Sequence, residues 1–389
     1  MRIFLAAYLF AVAILVAVAI VGGVVLYRHT APDDPAHAAA SEHGYDLASW
    51  EMRHFPEKWL HKLQSGFNGP NETTADEKIC SYFGGERDQR APELENDVED
   101  IIEGRATAVL KDEGLALEPP LFSDLGLVFP PVDFEMDATP RVLAVSPRER
   151  IELRDSYLLE PNLTPATIDG MERKAESENI GERGVSALVI RTGGFSSYPS
   201  VVFEDASYES LIETVFHEWL HSYLIFFPLG TSYFGSSEAR TLNESVANIG
   251  GKELARRYFD RYGTLEEACG PTPATSTPTP SPTTDAFDFT SEMRELRRQA
   301  EAMLADGRIE EAEALMAAKR DEFEAKGVFI RRLNQAYFAF HGFYADTPGS
   351  IDPIGPKLQT LLERSGSVGE FVRTARGITS RVELDHALE

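Results

Sequence analysis

The stretch from Asp205 to Phe227, DASYESLIETVFHEWLHSYLIFF, has no glycine or proline and reads as one helix carrying His217-Glu218-Trp219-Leu220-His221. Nothing else in the 389 residues restricts the fold as much. Histidines at i and i+4 share a helical face, so both imidazoles can reach one metal ion. Two histidines and a carboxylate buried on a largely apolar helix without such a partner are costly. Glu218, beside the first histidine, is placed to hold and deprotonate a metal-bound water rather than to ligate. Asp205 or Ser207 caps the start of the helix, and Pro228 and Gly230 mark its end. The chemistry expected of this helix is that of a zinc-dependent hydrolase with one Zn2+ per chain, acting on peptide bonds.

A hydrolytic zinc site takes three protein ligands and leaves the fourth position to water. After a turn-rich loop containing Gly230 and Gly235, a second helical segment reads Thr-Leu-Asn-Glu-Ser-Val-Ala-Asn-Ile-Gly-Gly from Thr241 to Gly251. Glu244 is the expected third ligand, with Glu238 as the alternative; Thr241-x-x-Glu244 also fits a helix capping box. Ala247, Gly250 and Gly251 keep this helix thin enough to pack closely on the first. Asn248, one turn beyond Glu244, is placed to accept the spare N–H of a ligating histidine and fix its tautomer.

Residues 214–223 also fit the longer zincin pattern, with uncharged residues around the three key positions and a hydrophobic one at the end. H-E-x-x-H followed on the next helix by Asn243-Glu244-x-x-Ala247 resembles the gluzincins, the thermolysin-like branch of zinc peptidases. The resemblance implies His217, His221 and Glu244 as ligands and Glu218 as catalytic base. Thermolysin-type enzymes carry an aspartate where this chain has Asn248. A nearer resemblance is to a bacterial family of zinc aminopeptidases. These pair the motif with Asn-Glu-Ser-[Phe or Val]-Ala, here Asn243 to Ala247, and continue into Leu-Asn-x-Ala-Tyr, here Leu333 to Tyr337, then Tyr344, Leu361-Leu362 and Phe371. It spans residues 205–375 and implies that the C-terminal helices belong to the catalytic unit. It also makes Tyr337, His341 and Tyr344 candidates for holding the developing oxyanion, although an aromatic-rich segment equally reads as core. The Gly-x-Met-Glu-Asn box of the larger aminopeptidase family is absent upstream, so the resemblance supports a peptidase more than an aminopeptidase.

Residues 3–27 are an uncharged apolar run of twenty-five, long enough to span a bilayer and too long for a typical signal-peptide core. They read as a transmembrane anchor in contact with lipid; cleavage near Ala38-Ala39-Ala40 is the alternative. Arg2 on one side and Arg28 with His29 on the other nearly balance the positive-inside rule. A single span with almost nothing before it behaves as a signal anchor, which places the enzyme outside the cytoplasm. Sixty-three acidic against 37 basic residues give a formal net charge of −26, which argues against nucleic acid or anionic lipid headgroups as partners. Peptide or protein substrate remains the expected partner. Cys80 and Cys269 are compatible with one disulfide or with two thiols, and no C-x-x-C spacing suggests a cysteine metal site.

The expected fold class is α+β: a transmembrane helix (1–28), a flexible Pro-, Ala- and Asp-rich tether (29–42), a helical region (43–120) and a zincin-like catalytic unit (121–389) with a helical C-terminal part. Within the helical region Trp50, Phe55, Trp59 and Leu63 follow a roughly helical period, and the acidic stretch 93–103 reads as a solvated face. Proline-bounded apolar runs at 125–130 and 141–145 suit strands, and 165–178 suits a helix. Residues 185–192 and 200–204 read as two strands joined by an exposed hairpin loop at 193–199. In zincins an edge strand above the zinc pairs with extended substrate; that role and an ordinary structural hairpin fit these letters equally. Residues 271–285 form a low-complexity Pro/Thr insertion, and 288–326 suit a helical hairpin turning at Asp306-Gly307.

Overall fold

A computed structural model describes residues 35–54, 58, 72–85, 90–115, 128–177, 184–270, 287–345 and 347–389. The apolar run at 3–27 and the Pro/Thr insertion lie outside these residues. Among the described residues no helix is long and apolar enough to cross a membrane. The fold is mixed α+β, mostly helical, with two three-stranded sheets rather than one. The six strands are β1 (Phe134–Asp137), β2 (Arg141–Pro147), β3 (Asp155–Leu159), β4 (Val185–Arg191), β5 (Gly194–Phe195) and β6 (Ser200–Phe203).

In the first sheet β2 is central and antiparallel to both β3 and β4. One face, with Leu143, Val145, Ala187 and Val189, packs under Ile168, Met171 and Ala175 of the helix Pro165–Ser177. The other, with Ala144, Leu188 and Ile190, packs against Ala336. Burial on both faces explains why β4 reads as a continuous apolar run rather than an alternating one. In the second sheet β6 is central, parallel to β1 and antiparallel to β5. The runs at 185–192 and 200–204 are therefore not hairpin partners, as their letters suggested. β4 gives its pairing edge to β2, and the short segment Gly194-Phe195 turns back on Val201 and Val202.

Two further expectations are corrected. Residues 35–42, expected within a flexible tether, form a helix at Pro35–Ala40 and enter a 3-10 turn. Ala36, Ala39 and Ala40 are buried beside the helix Pro165–Ser177 and β3. Alanine loses no side-chain entropy in a helix and lets backbones approach, so the same small residues that resemble linker composition also dock.

The acidic stretch 93–103 is not simply a solvated face. Glu99 and Glu103, one turn apart on the helix Glu95–Asp112, are buried. The Lys58 ammonium stands 2.7 Å from Glu99, 3.2 Å from Glu103, 3.4 Å from Glu135 and 3.9 Å from Asp133. Burial opposes its charge, but these carboxylates, Glu99 foremost, hold Lys58 well above its ordinary pKa. Glu99 also accepts from the Met136 N–H at 2.7 Å and Glu103 from the Phe134 N–H at 3.1 Å, tying this helix to β1.

Cys80 and Cys269 are joined, linking the helix Glu72–Phe83 to the helix Leu265–Cys269 that follows the second motif segment. The expected helical hairpin is present as Phe289–Ala305 and Ile309–Ala325, turning through Gly307 at φ +76°.

Removing the Lys58 cation from among three buried carboxylates and the half-buried Glu135 leaves their charge less compensated. Lys58→Met should therefore lower stability by about 3–5 kcal/mol, read as the midpoint shift in urea; a shift below 1 kcal/mol would show that the network does not hold the helical region to β1.

Candidate metal centre

The motif helix spans Tyr208–Leu224, and Ser207 is its cap, its Oγ accepting from the Ser210 N–H at 3.2 Å. Leu211, Val215, Phe216 and Leu220 fill the main core, which turns His217 and His221 towards a cavity. The second, glutamate-bearing helix starts earlier than its motif, at Ser237, and runs to Tyr262, capped by Ser236. Thr241 lies in its second turn, its hydroxyl donating to the Ser237 carbonyl at 3.0 Å, so the capping-box reading of Thr241 and Glu244 falls away. Glu238, the alternative ligand, instead accepts from the Arg381 N–H at 2.7 Å, on the outer surface.

The two helices meet through glycine. A Cβ on Gly251 would stand 3.1 Å from the His217 nitrogen and 3.2 Å from its Cα; one on Gly250 would stand 3.0 Å from Leu220 Cδ1. A side chain at Gly251 would push against backbone, which cannot yield as a flexible side chain does.

This contact brings Glu244 opposite the two histidines. Nε2 of His217 and Nε2 of His221 are 3.0 Å apart, and Glu244 Oε2 is 3.8 Å and 3.4 Å from them respectively. The three groups could hold a metal ion, their ligand atoms all lying within 4.8 Å of one another. A further observation tests the fit: Glu244 Oε2 is buried and receives no hydrogen bond. A buried, unsatisfied carboxylate oxygen facing two ring nitrogens that also face each other is what a cation would complete. Burial alone would raise the Glu244 pKa, but His221, then His217 and the Tyr233 hydroxyl, bring it down to about 2. Burial likewise works against a charged His221, and Glu244 outweighs it, lifting His221 to about 9. The site strongly favours negative charge on Glu244 and positive charge across from it.

The surrounding groups orient these donors. His221 Nδ1 lies 2.7 Å from Asn243 Oδ1, which leaves Nε2 for an ion. Asn243, one residue before Glu244, is thus the amide that holds His221; Asn248 lies half-buried one turn beyond Glu244. Tyr233 was also missed: its hydroxyl donates to Glu244 Oε1 at 2.5 Å. It lies in the loop between the helices, where only glycines and a proline stood out in the letters.

Glu218 is buried and lines the same cavity. Burial pushes its carboxyl up to about 8, with His221 lowering and Glu244 raising it. β5 passes directly over it: a Cβ on Gly194 would stand 2.6 Å from Glu218 Oε1 and 2.6 Å from Thr214 Cγ2. Of the three aromatic candidates, Tyr344 lines the cavity with its ring 6.1 Å from that of His217. Burial and the Glu244 carboxylate push its hydroxyl well above the ordinary tyrosine value. Tyr337 and His341 do not line it. They lie one turn apart on the helix Gln335–His341 with tilted rings 4.3 Å apart, and Tyr337 packs on the sheet and helical-hairpin cores. Burial lowers His341 to about 4. The cavity itself is about 510 Å3, with Gly194, Phe195 and Ser196 along one wall and Phe340 and Phe343 along another.

Compared with known proteins, the chain matches no family model, no curated protein and no solved structure.

Loss of the amide that orients a ligating histidine weakens metal binding about 10–100-fold. Asn243→Ala should show that loss in competitive titration of Zn2+ against a chelator; unchanged affinity would show that His221 is oriented by something else.

Proposed function

We propose that the protein is a membrane-anchored, zinc-dependent metallopeptidase working in the manner of the gluzincins. The observation that carries this reading is the convergence of His217, His221 and Glu244 on one point, with Glu218 in the same cavity but outside the ligand set. Two imidazoles and one carboxylate are a donor set suited to catalytic zinc, which when bound lowers the pKa of water towards neutrality and polarises a carbonyl.

The chain's own residues supply the rest. His217 and His221 present Nε2 inward, and Asn243 keeps His221 in that tautomer. Tyr233 fixes the second oxygen of Glu244. Glu218 takes the proton of the attacking water and returns it to the leaving amine; its enclosure beneath Gly194 keeps bulk water from competing. Tyr344, beside His217, is the residue placed to donate to the oxyanion, and Tyr337 and His341 take no part. β5 is the outermost strand of its sheet and its residues line the cavity, so an extended peptide can add to it and lie across Glu218.

A binding scaffold has no use for a carboxylate in the position of Glu218, which favours catalysis over a purely structural role. The apolar run at 3–27 supports a single membrane anchor. The Cys80–Cys269 bond supports an oxidising compartment, and hence a catalytic unit outside the cytoplasm.

Purified protein should contain one zinc per chain both as wild type and as Glu218→Gln. Cleavage of a peptide library should fall by about 10²–10⁴-fold in the variant, the range for loss of a general base. Equal cleavage by the two proteins, or no bound zinc in either, would contradict the proposal.

A further inference from the structure

Arg240 lies one turn before Glu244 and lines the same cavity, yet no role in holding a metal falls to it. Its guanidinium carbon lies 5.3 Å from the centre of the Tyr233 ring and 5.4 Å from that of Phe343, within cation–π range of both. Its Nε is buried and has no hydrogen-bond partner. Among the described residues Arg240 forms no ion pair, although most arginines of this acidic chain do. Arg240 is half-buried, and an arginine nitrogen withdrawn from water without an acceptor is costly. The planar guanidinium fork matches a carboxylate in bidentate geometry.

The geometry points to Arg240 as the anchor for a carboxylate carried by the peptide substrate; this assignment rests on the peptidase reading. Four residues of helix separate Arg240 from Glu244, a rise of about 6 Å. An extended peptide covers about 3.3–3.6 Å per residue. The anchored carboxylate therefore sits one or two residues from the scissile bond. The apolar walls at Phe195, Phe340 and Phe343 suit hydrophobic side chains between the two. The carboxylate is either the free C-terminus of the substrate or an Asp or Glu side chain. The first makes the enzyme a carboxypeptidase or carboxydipeptidase, the opposite end preference to that of the aminopeptidases whose motif the chain resembles.

The test uses zinc-loaded protein and apolar peptides in three forms: free C-terminus, amidated C-terminus, and amidated with one internal glutamate. Wild type should prefer at least one carboxylate-bearing form over the plain amide by tenfold or more in kcat/KM, mainly through KM. Arg240→Gln should bring that ratio close to one, and Arg240→Lys should restore part of it. Preference for the free C-terminus alone identifies an exopeptidase; preference for the internal glutamate identifies an endopeptidase. Equal use of acid and amide forms by the wild type, or a preference that survives in Arg240→Gln, overturns the assignment while leaving Glu218-dependent hydrolysis intact.

Calorimetric binding of the same peptides to Glu218→Gln, with and without Arg240→Gln, separates the two levels. Should the wild type cleave none of them, the peptidase reading fails. Tenfold tighter binding of an acid form that Arg240→Gln removes still supports the anchor, and equal binding of acid and amide overturns it.

Discussion

The approach of two helix backbones is the constraint on which the site depends. Gly251 lies against the backbone of His217, and Gly250 accommodates Leu220, so the motif helix and the glutamate helix come close enough for their side chains to share one point. Ala247, also buried, continues the same thin seam. Separating the axes by the thickness of one methyl group would draw Glu244 away from two nitrogens that now lie 3.8 Å and 3.4 Å from it. A third close approach, β5 over Glu218 at Gly194, sets the roof of the cavity in the same way. In a close-packed interior such contacts are not adjustable one at a time.

The chain also buries negative charge in two places and treats it in opposite ways. Around Glu99 and Glu103 it supplies its own cation, Lys58, and adds backbone N–H donors from β1. Around Glu244 it supplies a tyrosine hydroxyl to one oxygen and leaves the other without a donor, facing two imidazoles. The first arrangement joins the helical region to the second sheet. The second brings two imidazoles and a carboxylate together as a group that could hold a metal ion.

How far the sequence was legible follows from where each signal resides. The motif helix, its cap at Ser207, the helix at 165–177 and the hairpin turning at Gly307 rest on local patterns and appear in the structure, as does Glu244 beside the two histidines in a group that could hold a metal. What could not be read depends on partners far away in the chain. The burial of Glu99 and Glu103 requires Lys58 and β1. The separation of β4 and β6 into different sheets requires β2 and β1. That Asn243 is the amide holding His221 depends on the helix crossing angle, and no spacing rule encodes it. Tyr337, His341 and Tyr344 looked alike in the letters. Tyr344, in the turn after the helix Gln335–His341, lines the cavity, whereas Tyr337 and His341 on the helix do not.

The central claim, that these helices exist to hold a zinc ion, is most directly tested by anomalous diffraction at the zinc edge from crystals grown with Zn2+. The account predicts a single strong peak about 2.0–2.2 Å from His217 Nε2, His221 Nε2 and a Glu244 carboxylate oxygen, with Glu218 outside the coordination shell. No peak at this position under saturating zinc, or a zinc ion held by other residues, would contradict it.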